Sequence, residues 1–304
     1  MLLFIHPVSN SALPWLKKVK SDKEVPVKKH YMSILSLGLL SVLLFSLPSL
    51  ASELDRFNDL KGNIDIAGGT AHIPVMKDAA KAILRQHNAI NISVAGGGSG
   101  IGVQKVGEGL VDIGNAGRPV SGKEKKKYQN LHSFPFAVDG VAPTLHPDNP
   151  VENLSSSQIQ DIFAGKITNW KEVGGNDAEI HLYSRDEASG TRSVFWKKCL
   201  KKGLIADFAN IVPSNGAMKG AVSRDKNALG YMSIGHLDNT VKAVQLNNIA
   251  PTQDNAINGS YPVVRKLFMN TNGEPKPLIK AFIDYVLSSE GAKSIQSHGY
   301  IPLI

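Results

Sequence analysis

The chain has 304 residues, 42% hydrophobic and 20% charged, which is enough apolar material for a core and excludes global disorder. Its single cysteine, Cys199, excludes an internal disulfide and a cysteine-rich metal site; it falls within a helical pattern and reads as a buried, inert thiol. The formal net charge of +8 is no nucleic-acid signature: half of it lies in residues 1–51, and the remainder shows no basic stripe with interleaved aromatics.

In chain order, the N-terminal segment comes first. "VKKHYM" is basic, "SILSLGLLSVLLFSL" is apolar and uncharged, and "PSLAS" offers small residues for a signal peptidase, with Ala51 the last residue removed. The apolar run is short of the roughly 20 residues of a membrane span. Residues 1–51 are therefore expected to be a cleaved signal peptide sending the protein to the periplasm, with an uncleaved anchor as the alternative. No cysteine follows the run to carry a lipid. Residues 1–26 exceed what a signal peptide needs, which moves the expected translation start downstream.

From residue 52, strand-like and helix-like segments alternate, over a length that suggests two domains. "NIDIAGG" reads as a strand, and "IPVMKDAAKAILRQH" as a helix with Val75, Ala79, Ala82 and Ile83 on one face. "NISVAGGG" is a second strand, followed by a helix marked by Val103, Val106 and Leu110. "VDIGNAG" is a third strand, and "FPFAVDGVAPTLHP" a long one. "SSSQIQDIFAGK" is a serine-capped helix, "EIHLYSR" a strand and "SVFWKKCLKK" a helix. "AMKGAVSRDKNALG" reads as a helix, then "YMSI" and "AVQL" as strands. After these no element is assigned until the closing helix of "PLIKAFIDYVLSSEGAKSIQSHG". This alternation predicts an α/β fold of open sheets with crossover helices. Ligands of such sheets sit at the carboxyl ends of strands, beside helix N-termini.

Three turns rich in glycine or hydroxyls occupy such positions: "AGGTAHIP", "AGGGSGIG" and "RDEASGTRS". A helix start leaves about four N–H groups unpaired and carries roughly half a positive charge, so an anion suits it. Thr70, Ser99, Ser189 and Thr191 add hydroxyl donors, and Arg185 a fixed charge with forked donors. Glu187 is placed to hold Arg185. His72, next to Thr70's turn, is either a ligand neighbour or a structural histidine. A serine or threonine before a helix serves equally well as a plain cap. Three such turns together, one with an arginine, point to a small-anion site.

The enzyme motifs fail. "GGGSGIG" fits no G-x-G-x-x-G frame, since the sixth residue from Gly96 is Ile101 and from Gly98 is Val103. There is no phosphate-binding G-x-x-x-x-G-K-[ST], no G-x-S-x-G and no H-E-x-x-H, and the nine histidines lack metal-ligand spacing.

Over nearly all of residues 60–304 the sequence resembles the phosphate-binding proteins of bacterial ABC-type phosphate importers. The resemblance rests on "GGGSGIGVQKVGEGLVDIGNAGRPV", "DGVAPTLHPDNPVENLSSSQIQDIFAGKITNWKEVGG", "RDEASGTRSVFWK", "NGAMKGAVSRDKNALGYMSIG" and "KAFIDYVLSSEGAKSIQSHGYIPL". It implies a two-lobed periplasmic-binding (Venus flytrap) fold with two crossover strands. The first lobe would be 52–138 plus 240–304, and the second 139–239. Thr70, the N–H of Ala71 and Ser99 would bind phosphate from the first lobe; Arg185, Ser189, Gly190 and Thr191 would bind it from the second. One departure stands out. Better-known members place an aspartate near the end of the third strand to accept the phosphate proton, and "NAGRPV" has Gly117 and Arg118 there. Asp139 either replaces it or caps a strand end. Arg118 either adds charge at the cleft or pairs with Glu108 or Glu124. The resemblance implies a monomeric binding protein, not an enzyme, that needs no cofactor or nucleic acid and delivers inorganic phosphate to a membrane permease. The alternatives are the same fold for sulfate, molybdate or an organic phosphate, a phosphatase, and, with an uncleaved anchor, an adhesion protein.

Overall fold

This computed structural model describes residues 52–303; the signal-peptide expectation for 1–51 lies outside them. Alternation builds the first strand, β1 (Gly62–Gly68), which buries Ile64 and Ile66 on one face. A 3-10 turn, Thr70–His72, leads into α1 (Ile73–Leu84), where Pro74 sits in the first turn and withholds no needed N–H. Helical spacing brings Val75, Ala79 and Ile83 onto the buried face, joined by Met76. β2 (Ile90–Gly97), α2 (Ser99–Gly107) and β3 (Ile113–Ala116) follow, with β1 parallel to both neighbouring strands. α2 ends before Gly109, whose φ is +70°. Leu110, expected on its apolar face, lies beyond the helix and is exposed. α3 (Gly122–Lys127) starts from a reciprocal cap between Ser121 and Glu124.

The chain then enters its longest strand, β4 (Leu131–Leu145). It continues through β5 (Asn153–Leu154), α4 (Ser156–Phe163), β6 (His181–Ser184), α5 (Gly190–Lys198), β7 (Asn210–Ile211), α6 (Asn215–Val222) and β8 (Ala228–Ser233). β9 (Lys242–Ala243), β10 (Gln245–Leu246), α7 (Gln253–Ile257), β11 (Val264–Asn272), α8 (Pro277–Val286), α9 (Ser289–Ser297) and β12 (Ile301–Pro302) complete it. The strand order is β2-β1-β3-β11-β4-β8-β6-β7, with β12 and β9 also paired to β4.

Two apolar cores flank this ladder. One gathers Ile64, Ile66, Val75, Phe136, Leu267 and Phe282. The other gathers Val141, Leu145, Phe163, Trp170, Phe195 and Tyr231. Burial of each phenylalanine contributes about 1.5–3 kcal/mol. β4 gives Phe136 to the first core and Val141 to the second. It pairs antiparallel with β11 from Leu131 to Gly140, then with β8 from Val141 to Leu145. The molecule thus has two lobes, with β4 and β11 passing between them.

The return crossing differs from expectation. Val244, Leu246, Tyr261 and Val263 pack in the second core, and β10 pairs with β5. Residues 240–263 therefore lie with the second lobe, and the chain crosses back along β11, which was not expected as a strand. Its alternating pattern was masked by Arg265, a charge at an inward-facing position between Val263 and Leu267. Among the described residues no helix is long and apolar enough to cross a membrane.

Candidate functional site

Where the lobes touch, the three turns come together. In the first, Thr70 Oγ1 accepts from both the backbone N–H (3.2 Å) and Nδ2 (3.1 Å) of Asn215, which opens α6 in the other lobe. The Ala71 carbonyl beside it accepts from the Tyr300 hydroxyl at 2.7 Å. In the second, Gly98 at φ +88° turns the chain so that Ser99 leads α2. Such a conformation favours glycine. Ser99 Oγ accepts from the Gly117 N–H at 2.9 Å. In the third, Ser189 caps α5 by accepting from the Arg192 N–H at 3.1 Å. The N–H groups of Gly190 and Thr191, in the first turn of α5, are left without a backbone partner. The Gly100 N–H donates to the Ala188 carbonyl at 3.0 Å, so the second and third turns bond across the cleft.

The turns surround a small, partly open cavity. It is lined by residues 69–72, Gly98, Ser99, Gly117, Arg185, residues 189–191 and Arg265. Arg185 is only 1% exposed. Its backbone N–H donates to the Tyr231 hydroxyl (3.1 Å) and its Nη2 to the Pro213 carbonyl (2.9 Å), while Nε and Nη1 have no partner. Burial lowers its pKa from the usual arginine value, with Tyr231 and Asp186 opposing the shift; arginine stays charged in proteins regardless.

Arg265 reaches the cavity from β11. Its Nε donates to Asp139 Oδ2 at 2.8 Å. Its Nη2 stands 2.7 Å from the same oxygen, in ion-pair contact but without hydrogen-bond alignment, and its hydrogens have no partner. The two residues face each other directly in the β4/β11 register, where opposite charges pair best. A Cβ at Gly117 would come within 2.7 Å of Arg265 Nη1, so the bare glycine makes room for the guanidinium.

Of the residues singled out by sequence, Thr70, Ala71, Ser99, Arg185, Ser189, Gly190 and Thr191 all line this one cavity. Asp139 does not. It is fully buried, with Oδ1 accepting from the Ser233 hydroxyl at 2.9 Å and Oδ2 held by Arg265. Burial pushes its pKa up, and Arg265 and Ser233 oppose that. Asp139 is thus not brought to the cavity wall where a ligand proton would need it, and both its oxygens accept bonds from protein groups. Glu187 is exposed and makes no bond to Arg185, whose guanidinium points inward to Pro213. Arg118 forms a two-pronged pair with Glu124 (2.8 and 2.7 Å), away from the cavity.

His72 lines the cavity, fully buried against Phe136. Burial, aided by the Arg265 charge, lowers its pKa to about 3, so it is neutral. The Phe268, Gly69 and Ala116 carbonyls face the ring, though neither nitrogen has a well-aligned partner. Cys199 is buried far along α5's end, and burial raises its thiol to about 12.

Sequence reasoning missed Arg265 and the reason for Gly117. The available signal was an arginine at every-other-residue spacing with Val263, Leu267 and Met269, all buried. Chemically the cavity is rich in donors. The Thr70, Ser99 and Ser189 hydroxyls are bonded to N–H groups, and none of the cavity hydroxyls to a histidine or carboxylate.

A family model described as a PBP superfamily domain matches residues 58–290. The phosphate-binding protein PstS of Bacillus subtilis is 35% identical over 249 residues, spanning 80% of this chain and 81% of its own. That of Pseudomonas aeruginosa is 28% identical over 278 residues, spanning 83% and 86%. Among solved structures, the chain is similar to a Clostridium perfringens substrate-binding protein assigned to phosphate ABC transport and crystallised with bound phosphate. The identity is 35% and the TM-score 0.75, covering 80% of this chain and 100% of that one. An ABC-type phosphate transport receptor from Vibrio cholerae has 34% identity and a TM-score of 0.63, covering 78% and 99%. The two crossing strands, the donor-lined cleft and these likenesses agree, and the chain belongs to the PBP superfamily, within its family of phosphate-binding proteins of ABC-type importers.

Proposed function

We propose that this protein captures inorganic phosphate between its lobes and delivers it to the membrane permease of an ABC importer. The observation that carries this is the set of buried, unpartnered donors at one cavity: Nε and Nη1 of Arg185 and Nη2 of Arg265. Buried donors without partners are destabilising by about 1–3 kcal/mol each, and a tetrahedral oxyanion satisfies several at once. Ser99, Thr191 and the N–H groups of Ala71, Gly190 and Thr191 complete the cradle, with Thr70 and Ser189 holding its walls. Charge-assisted hydrogen bonds contribute about 1.5–3 kcal/mol each. A handful of them supports micromolar or tighter capture once ordering and closure are subtracted.

In this reading the first lobe comprises 52–138 and the chain after β11, and the second 139–263. The segment 1–51 directs export to the periplasm, where the protein works as a monomer. It is a carrier and not a catalyst, since no cavity hydroxyl has a base to activate it. Titration calorimetry of the exported protein with sodium phosphate tests the proposal, alongside a chromogenic phosphoester. One-to-one binding at micromolar or lower concentration without ester cleavage is expected. A flat phosphate titration, or turnover of the ester, overturns it.

A further inference from the structure

We propose that Asn215 is a positioning residue: from the second lobe it makes the Thr70 hydroxyl a pure donor turned toward the guest, and the same contact clasps the cleft. This deepens the capture reading above and rests on it. Asn215 does not line the cavity, yet it is fully buried at the start of α6. Its Oδ1 accepts from the Ser233 backbone N–H at 3.2 Å, at the end of β8. A backbone N–H only donates, so this bond fixes which end of the amide is oxygen. Nδ2 therefore faces Thr70 and donates to Oγ1 at 3.1 Å. The Asn215 backbone N–H, one of the donors a helix start leaves free, gives to the same atom at 3.2 Å.

A threonine hydroxyl has two lone pairs and one hydrogen. Asn215 takes both lone pairs of Thr70. The Thr70 methyl lies on the Gly96 side, 3.3 Å from where a Cβ there would stand. Among the described residues no protein group accepts the hydroxyl hydrogen. Thr70 lines the cavity, so that hydrogen is left for the guest. A freely rotating hydroxyl presents a lone pair to its neighbour as readily as a hydrogen; this one can only give. Beyond holding the wall, Thr70 thereby requires an unprotonated oxygen on the part of the guest that it meets.

The contact also spans the cleft, since Thr70 belongs to the first lobe and Asn215 to the second. His236, between β8 and β9, joins the same clasp: its Nε2 donates to the Thr70 carbonyl at 3.1 Å. Parting the lobes breaks these bonds. Each of them favours the closed form that holds the guest, and apparent affinity follows the population of that form.

The test is calorimetry with sodium phosphate on the exported wild-type protein, Asn215→Ala, Thr70→Val and the double variant. Asn215→Ala is expected to weaken phosphate about three- to tenfold, the contribution of one neutral hydrogen bond. Thr70→Val removes the hydroxyl that Asn215 orients, so adding Asn215→Ala to it is expected to weaken binding by less than about twofold more. Thr70→Ser restores the hydroxyl and, with it, the full sensitivity to Asn215→Ala. Independent losses that multiply in the double variant, or wild-type affinity in Asn215→Ala, overturn the inference while phosphate capture stands. If the wild type gives no isotherm, the capture reading fails and takes this inference with it. Asn215→Asp serves where the alanine variant does not fold. It keeps the shape and the oxygen facing Ser233, but offers Thr70 an acceptor in place of a donor. Its charge acts on phosphate in either background, so the difference between backgrounds decides. Weakening at least about threefold greater beside Thr70 than in Thr70→Val is expected, and equal weakening in both overturns the inference.

Discussion

Gly100 gives its backbone N–H to the carbonyl of Ala188, 3.0 Å away, and so ties the first turn of α2 to the turn that opens α5. The approach leaves no room for side chains nearby. A Cβ at Gly98 would stand 2.8 Å from Ala188 O, and one at Gly190 would overlap Ser99 Oγ. Overpacking of this kind costs about 1–3 kcal/mol. Gly190→Ala is therefore expected to weaken phosphate binding by roughly ten- to a hundredfold, with a larger radius of gyration in the presence of phosphate by small-angle scattering. Wild-type affinity and compactness in this variant would show that closure does not depend on the contact.

Arg185 carries two of the free buried donors. Arg185→Met keeps most of the side-chain volume and removes both. Phosphate affinity is expected to fall by more than about a hundredfold, since two charge-assisted bonds contribute at least about 3 kcal/mol. Without phosphate, urea denaturation should show the variant at least as stable as the parent, because replacing a buried charge by an apolar side chain relieves its desolvation. Loss of stability matching the loss of binding would reassign Arg185 to a structural role.

The Asp139–Arg265 pair is almost wholly buried, its side chains 0% and 3% exposed. Asp139→Ala strands the guanidinium in the interior and is expected to cost about 3–5 kcal/mol, read as a lowered urea midpoint. Combining it with Arg265→Met should recover most of that loss, giving a strong coupling in a double-mutant cycle. Additive losses would mean that the two residues do not act as a pair.

Acid should weaken the fold through its buried histidines. Burial lowers His72 from 6.5 to about 3 and His236 from 6.5 to about 4. Between those limits the unfolded chain holds more protons than the folded one. The stability that neutral burial allows is thus fully present above pH 6.5 and lost as pH falls toward 4 and then 3. Each histidine contributes a slope of at most about 1.4 kcal/mol per pH unit. Urea midpoints measured stepwise from pH 7 to 4.5 should decline, and His236→Gln should flatten the decline. A pH-independent midpoint would contradict the burial of both rings.

What could be read from the sequence was what neighbouring residues settle among themselves. The spacing of Val75, Ala79 and Ile83 marks the buried face of α1, and the chemistry of residues 185–191 lies within one turn. Residues 185 and 189–191 accordingly line one cavity. Asp139 was visible as an acid in an apolar strand, but its partner was not. Arg265 comes opposite it only through the antiparallel register of β4 with β11, 126 residues apart in the chain. Gly117 had the same difficulty: a glycine explains itself only when the group needing its space is known. Residues 240–263 went to the wrong lobe because their apolar positions fit either core until β10 is paired with β5.

The two strands that pass between the lobes are not independent tethers. β4 and β11 are zipped to one another from Leu131/Asn272 to Gly140/Val264, up to the boundary between the cores. Farther back the ladder is held in the sheet, with β3 beside Phe268–Asn270 and β12 beside Ala137 and Val138, but around Asp139–Gly140 and Val264–Arg265 it is two strands wide. Such a ribbon twists more readily than it slides, because a one-residue slip turns every side chain to the opposite face. This register favours swinging of the lobes over shearing. A guest is thus expected to leave by rotation about this ribbon, on which Arg265 is mounted at the cavity's edge.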